Sequence, residues 1–328
     1  MSTLVIQTAF LGDVVLTTPL LQRLAERHGP VDVLVTPAAA ALLEGHPAVR
    51  EVLRYDKRGR DAGWRGFLRL ARQIRRRRYE RVYLPHRSLR SAALAWWSGA
   101  TERIGFSAAS VAWSYTSRVE AVGGHETERL ASLAGSGPVP RTSLGLTAGD
   151  RAAARQWLEQ HGIDRPFTAI APGSVWATKR WPYYADLAAT LPGPVVVIGG
   201  PEDAPAGRSM AAAAPGRVHS AAGELSLRGS AALIEHARLL VTNDSAPLHL
   251  AGAVGTPVVA IFGPTVPAFG FGPLGETDRI VEHAELSCRP CSLHGPMVCP
   301  LGHHRCMREI TVERVLAVVQ PGNGAEAV

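Results

Sequence analysis

A lysine that persists in an arginine-rich chain raises the question of what its position requires. Of the 35 basic residues in this 328-residue sequence, lysine occurs only at Lys57 and Lys179. Lys179 opens Lys179-Arg180-Trp181-Pro182, shortly after Ala171-Pro172-Gly173-Ser174. A strand that ends in a small-residue turn, with a proline suited to the first turn of the next helix, places Lys179 and Arg180 beside a helix N-terminus. There, N–H groups and aligned peptide dipoles already favour an anion, and an added ammonium makes a diphosphate site. The competing reading is a solvated Lys-Arg pair.

Two further loops have the same setting. Ala9-Phe10-Leu11-Gly12-Asp13 follows an apolar run and precedes a helical one. Gly12 permits close backbone approach. Asp13 at the helix start either caps the helix, worth about 1 kcal/mol, or points into a ligand cleft. In Thr242-Asn243-Asp244-Ser245-Ala246-Pro247-Leu248-His249, Asp244 or Ser245 can cap the helix and Pro247 suits its first turn. The small residues leave room for a ligand against the backbone. His249, a turn further on, reads by itself as a packed core histidine.

None of these strand-to-helix turns carries the Gly-x-Gly-x-x-Gly of dinucleotide enzymes, and the chain has no P-loop. It also has no Asp-x-Asp, the paired carboxylates with which a sugar transferase holds a divalent metal on its diphosphate. Positive charge at a diphosphate would then come from Lys179 and helix ends. Cysteines stand at Cys288, Cys291, Cys299 and Cys306, with His294, His303 and His304 among them. Cys-x2-Cys is zinc spacing, whereas the six residues between the later pair exceed the usual structural pattern. Zinc on Cys288, Cys291, Cys299 and Cys306 and free structural thiols both stay open.

Composition narrows the class. Hydrophobic residues at 46% and charged residues at 19% are those of a globular chain. A formal charge of +7 favours anionic partners, whether nucleic acid, acidic lipid or phosphorylated small molecules. The run Arg75 to Arg78, with Arg60, Arg72, Arg87, Arg90 and Arg103, makes the first half strongly basic. No nucleic-acid motif or interleaved aromatic pattern accompanies it, which argues against nucleic acid. No apolar run is long enough to cross a bilayer, and Met1 to Phe10 lacks a basic leader segment, so a cytoplasmic protein is expected. Four cysteines in that compartment are not expected to form structural disulfides.

The elements that must position these residues alternate. Strands are expected at 3–8, 31–35, 49–55 and 81–84, with helices at 14–27, 38–44, 64–79 and 89–97. A Gly/Pro/Ser/Thr-rich stretch at 135–149 reads as a linker. Strands then return at 168–171, 195–198, 239–242 and 258–262, with helices at 183–191, 225–237 and 247–254. Such βα alternation implies an α/β chain of two doubly wound parallel-sheet domains, 1–148 and 149–328, facing one cleft.

In this order the three loops resemble those of the glycosyltransferase family 9 heptosyltransferases. The resemblance rests on Leu11-Gly12-Asp13-Val14, Pro172-Gly173-Ser174 with Lys179-Arg180-Trp181-Pro182, and Asn243 to His249, and continues through Thr256 to Thr265. It implies the GT-B architecture: two Rossmann-like domains, an N-terminal one for the acceptor and a C-terminal one for the donor. It implies an inverting, metal-independent transfer of heptose from ADP-heptose to the lipopolysaccharide inner core, without a cofactor. Asp13 matches the general base, Lys179 the lysine on the donor phosphates, and Ser174 a hydroxyl on the same group. Glu202 matches an acidic residue on the adenosine ribose. Asp244, with the amides near Ser245 and Ala246, matches the loop holding sugar and phosphate, lined by His249; Gly12 belongs to the same donor set. Val175 and Ala246 depart from members that carry a hydroxyl and a glycine there. Arg87 and Arg90 become the expected contacts to an anionic acceptor at the inner membrane surface. The cysteine-rich segment is similar to that of second-heptose enzymes. Alternatives are another nucleotide-sugar or a non-lipopolysaccharide acceptor within the family, and a GT-B-shaped nucleotide-sugar 2-epimerase.

Overall fold

Strands covered by helices on both faces lose polar alternation and read as continuous Val, Ile and Leu. The computed structural model, which describes residues 2–319, follows that rule: every residue of the strands Thr3–Ile6, Val31–Val35, Thr168–Ala171 and Val258–Phe262 is buried. Contacts divide the chain between Leu146 and Thr147 into two compact units.

The first unit runs β1 (Thr3–Ile6), α1 (Leu11–Leu16), α2 (Thr18–His28), β2 (Val31–Val35), α3 (Pro37–Leu43), β3 (Val49–Arg54), α4 (Gly63–Arg76), β4 (Arg81–Leu84), α5 (Leu89–Ser98), β5 (Glu102–Phe106), β6 (Ser117–Val119) and α6 (Glu126–Ala131). Its strands, all parallel, lie in the order β3-β2-β1-β4-β5-β6. Successive right-handed crossovers reverse direction at β1, so α1, α2, α3 and α6 pack on one side of the sheet and α4 and α5 on the other. Leu70, Ala71 and Ile74 of α4 and Leu94 and Ala95 of α5 share one core with Leu4, Val82 and Leu84 of the strands.

The second unit runs α7 (Ala148–Gln160), β7 (Thr168–Ala171), α8 (Tyr184–Thr190), β8 (Val195–Val197), α9 (Ala204–Ala213), β9 (Val218–Ser220), α10 (Leu227–His236), β10 (Leu239–Asn243), α11 (Ala246–Val254), β11 (Val258–Phe262), β12 (Arg279–Glu282), α12 (Arg305–Arg308) and α13 (Val312–Val319). Its parallel order, β12-β11-β10-β7-β8-β9, is that of the first unit when counted from its own first strand. Each unit therefore has one switch point, β1 beside β4 and β7 beside β10, where helices leave to opposite faces and open a crevice at the strands' carboxyl ends.

The structure departs from the sequence-based elements in particular places. The helix expected over 14–27 breaks at Thr17, whose hydroxyl bonds Asp13 O at 2.7 Å, because Pro19 in the next turn has no N–H to continue the ladder. The stretch expected as a linker is held down over most of its length. Buried Arg23 of α2 donates to the carbonyls of Ala131, Gly135 and Pro138, and Gln22 to that of Arg141 at 2.8 Å. Its end is a helix start, with the Asp150 N–H on Thr147 Oγ1 and the Thr147 N–H on Asp150 Oδ2. Strands β5, β6, β9 and β12 and helices α6, α7, α9, α12 and α13 lie outside the expected elements; β6 and β9 are three-residue edge strands, too short to carry a period.

One buried carboxylate ties the edge of the first sheet. Asp32 on β2, fully buried, accepts from Arg50 on β3 at 2.8 and 2.9 Å and from the Tyr79 hydroxyl at 2.5 Å. Asp32→Ala strands the buried phenol and removes the cross-strand pair, and is expected to lower unfolding free energy by about 2 kcal/mol in a urea titration, with Asp32→Asn losing less.

Candidate functional site

In the second unit the switch point is built around Asn243 and Asp244, at the end of β10. The Asn243 amide donates to Pro172 O at 2.9 Å, while its Oδ1 accepts the Trp181 N–H at 3.1 Å and the Tyr184 hydroxyl at 3.2 Å. These bonds fasten the turn after β7 and the segment leading into α8 to the neighbouring strand. Within that frame Lys179 Nζ lies 2.6 Å from Asp244 Oδ2, and the Thr265 hydroxyl donates to the same oxygen at 2.7 Å. Both charged side chains are nearly buried, at 10% and 9% exposure. A buried ammonium needs an opposite charge, and Asp244 supplies it.

This placement differs from the expectation for Lys179. No α-helix begins at Pro182; α8 starts at Tyr184, and Lys179 closes a short 3-10 turn, Ala177–Lys179. Trp181, which lies between them, and Tyr184, the first residue of α8, go into the core because they are large and mostly apolar. The helix start at this edge is instead that of α11. Ser245 takes its N-cap position with no side-chain bond to the helix, its hydroxyl turned to Asn243 O at 3.4 Å, and Ala246 and Pro247 form the first turn. His249, partly buried on the next turn, lies against Phe271 with ring centroids 6.5 Å apart.

Ser174 and Glu202 stand at the same carboxyl edge. Ser174 Oγ accepts the Trp176 N–H at 3.3 Å, and Glu202 is exposed in the turn after β8. A Cβ at Gly173 would meet Asp203 Oδ1 at 2.5 Å, so a larger residue there would displace that carboxylate. Burial pushes the Asp203 carboxyl up, against the Gly200 N–H that bonds it at 3.0 Å. Asn243 and Thr265, present in the motifs but given no role by the sequence, act through partners distant in the chain, whereas Asp203 bonds Gly200 three residues away.

The cysteine-rich segment folds over the lysine turn. Thr178 donates to Pro296 O, His304 Nε2 meets Thr178 O at 2.8 Å, the His294 ring stacks parallel to Trp176 at 6.2 Å, and the Cys291 N–H reaches Pro264 O at 2.8 Å. Cys288, Cys291, Cys299 and Cys306 are free thiols, and among the described residues no three His, Cys, Asp or Glu side chains are grouped to hold a metal ion. Burial pushes the Cys306 thiol up to about 11. The string Gly270 to Gly275 does spell Gly-x-Gly-x-x-Gly, yet it runs through turns into β12 and opens no helix.

In the first unit, Gly12 and Asp13 belong to the first turn of α1. Asp13 Oδ2 accepts the Phe10 N–H at 3.0 Å, which makes Asp13 a capping group. Across the switch point, β4 ends at Pro85-His86. His86 Nε2 lies 3.4 Å from Thr8 Oγ1 and 3.2 Å from Ser91 Oγ, and Lys57 Nζ donates to Thr8 O at 3.0 Å. Both lysines of the chain thus stand at the carboxyl edge of a switch point. Arg87 and Arg90 are exposed beside His86, on either side of Ser88, which caps α5. Lys57 and His86 were missed as site residues, although the rarity of lysine already marked Lys57.

The comparisons with known proteins agree in direction. The model of a family described as "Glycosyltransferase family 9 (heptosyltransferase)" matches residues 67–298. Lipopolysaccharide heptosyltransferase 2 of Escherichia coli is 28% identical, over 86% of this chain and 88% of that one. Lipopolysaccharide heptosyltransferase 1 of Pseudomonas aeruginosa is 29% identical, over 89% and 86%. The solved structure of the Escherichia coli ADP-heptose lps heptosyltransferase II superposes with a TM-score of 0.78 at 27% identity, covering 97% of each chain.

Burial, reinforced by the Lys57 charge and opposed by a bond to the Ile6 backbone, pushes the His86 imidazole from 6.5 down to about 4. The unfolded chain therefore takes up a proton that the folded chain refuses between those values, and stability falls as pH drops from 6.5 towards 4. The loss is on the order of 3 kcal/mol at most. Thermal midpoints measured across this window should fall less steeply for His86→Asn than for the wild type.

Proposed function

We propose that this chain, which belongs to glycosyltransferase family 9 and is a glycosyltransferase, transfers heptose from ADP-heptose to the inner core of lipopolysaccharide. The α/β fold is of the GT-B class, and in this reading residues 1–148 take the acceptor and 149–328 the donor. The observation that carries it is the Lys179–Asp244–Thr265 cluster at the carboxyl edge of β7 and β10, beside the start of α11. A donor diphosphate needs concentrated positive potential. An ammonium has three donors; with one on Asp244, Lys179 has others to offer phosphate oxygens, next to the α11 N–H groups at Ser245 and Ala246.

The reaction is a single inverting displacement that uses no metal. The acceptor oxygen bonds to the anomeric carbon as its proton passes to the Asp13 carboxylate, and the bond from that carbon to the diphosphate oxygen breaks on the opposite face. The electron pair leaves with ADP, where Lys179 and the α11 N-terminus meet the developing charge. Ser174 hydrogen-bonds the same phosphates, Glu202 the ribose, and Asp244 and His249 the heptose; Gly12, the other small residue of the Asp13 turn, belongs to the donor set. Arg87 and Arg90 bind an anionic acceptor such as Kdo or heptosyl-Kdo on lipid A, held at the cytoplasmic face of the inner membrane. Among the described residues no helix is long and apolar enough to cross a membrane. The second heptose is our preferred product, on the likeness of the cysteine-rich segment. The two curated relatives, of the first and second types, match almost equally, at 29% and 28% identity.

Purified protein incubated with ADP-heptose and either Kdo–lipid A or heptosyl-Kdo–lipid A, with product scored by mass, tests the assignment. One added heptose on the second acceptor is expected. Product from a different nucleotide-sugar alone, or donor epimerised without acceptor, would replace it with another family 9 transferase or a 2-epimerase. Asp13→Ala should abolish transfer while leaving ADP-heptose binding by calorimetry intact; wild-type turnover would remove Asp13 from the mechanism. Lys179→Met should lower kcat by about 10²–10³-fold, the usual cost of losing one preorganised contact to developing charge.

A further inference from the structure

Helices α4 and α5, which cover one side of the first unit's sheet, carry an outward surface to which, Arg90 at the start of α5 aside, the transfer gives no role. On α5 the inner residues Ala92, Leu94 and Ala95 fill the core, yet Leu89, Ala93, Trp96 and Trp97 form a second stripe at i, i+4, i+7 and i+8 that faces solvent. Leu89 is 73% exposed and Trp96 59%. The Trp96 and Trp97 rings meet edge to face at 6.5 Å, so the two indoles form one patch. Trp113 is 75% exposed in the turn between β5 and β6, whose neighbours Val111, Ala112 and Tyr115 pack in the same core as α4 and α5. Monomeric chains seldom leave such a concentration of large apolar side chains in water without a partner.

The neighbouring helix supplies the matching charge. Exposed on α4 are Arg65, Arg69, Arg72, Arg75 and Arg76, and neither helix contains a carboxylate. Arg75 Nη1 donates to Trp97 O at 3.3 Å, which joins the arginine stripe to the tryptophan patch. Arg69, Arg72, Gln73, Arg76 and Arg77 line an open groove. Arg69 and Arg77 are countered by Asp61 and Glu51, whereas Arg72 and Arg76 are in no ion pair among the described residues. Indole rings with one polar edge settle at the headgroup level of a bilayer, and guanidinium groups hold phosphate oxygens in pairs.

We propose that the outward surface of the α4–α5 layer docks the protein on an anionic phospholipid bilayer, with Trp96, Trp97 and Trp113 among the headgroups and the arginines of α4 on lipid phosphates. The inference rests on the reading that the acceptor is held at a membrane. Its test uses neither donor nor acceptor, so a wrong sugar assignment leaves the result unmoved.

The intact protein is floated with vesicles of phosphatidylglycerol and phosphatidylethanolamine, and with vesicles of phosphatidylcholine alone. Binding to the anionic vesicles only, weakened by added salt and accompanied by a blue shift of tryptophan emission, is expected. The double variants Trp96→Ala/Trp97→Ala and Arg72→Gln/Arg76→Gln should each bind on the order of tenfold more weakly, with unchanged thermal midpoints. The proposal is overturned by absence of flotation or by variants that both bind the vesicles as tightly as the wild type. It is overturned equally by self-association in sedimentation velocity that the tryptophan variant abolishes, which would assign the surface to a second copy. Binding of a labelled oligonucleotide in place of vesicles would assign it to nucleic acid.

Discussion

A buried ammonium governs the second unit. Lys179 is nearly enclosed, and a charge taken from water without a counter-charge costs several kcal/mol, so the turn that carries it must end beside a carboxylate. Asp244 meets the requirement from 65 residues away, and sharing its Oδ2 with the Thr265 hydroxyl draws in the loop after β11. Asn243, one residue earlier, uses both ends of its amide to hold the turn after β7 and the approach to α8. Three strand ends are thereby tied at one place. The small residues between them, Gly173, Ser174, Ser245 and Ala246, leave backbone near the surface.

The first unit solves the same topological problem with different chemistry. Both sheets have the same strand order, so both have a switch point at which two helices diverge. At β1 and β4 the lysine is Lys57, bonded to the Thr8 carbonyl, and the neighbouring titratable group is a His86 kept neutral by burial. One edge therefore concentrates a compensated ion pair beside a helix start, and the other a carboxylate, an imidazole and exposed arginines. In the proposed function that asymmetry becomes the division between a diphosphate-bearing donor and an anionic acceptor.

The cysteine-rich segment gains a meaning from the fold that its spacing did not supply. Its side chains and carbonyls close over Thr178, Trp176 and Pro264, so it buttresses the turn that holds Lys179. Arg289 in the same segment, its side chain only 2% exposed, donates to Thr265 O and pairs with Glu282 on β12, which places the strand after β11 in the same brace.

Local pattern alone determined the alternation of central strands and helices, because a strand buried on both faces needs an unbroken apolar run and the glycine- and proline-bearing turns mark where it ends. It also singled out the loops with Asp13, Ser174, Lys179 and Asp244, since lysine is scarce and small residues cluster there. Edge strands β6 and β9 escaped it: each is three residues long, and residues 117 and 118 of β6 are exposed. The linker reading missed the clamp of Arg23, whose acceptors lie more than 100 residues away. Only the tertiary structure decided that Lys179 faces Asp244 rather than the start of α8, and that Thr265, Asn243 and His86 belong to the sites. Those contacts depend on β7 lying beside β10 and β1 beside β4. Sheet order sets such neighbours through long-range burial and hydrogen bonding, which no local periodicity encodes.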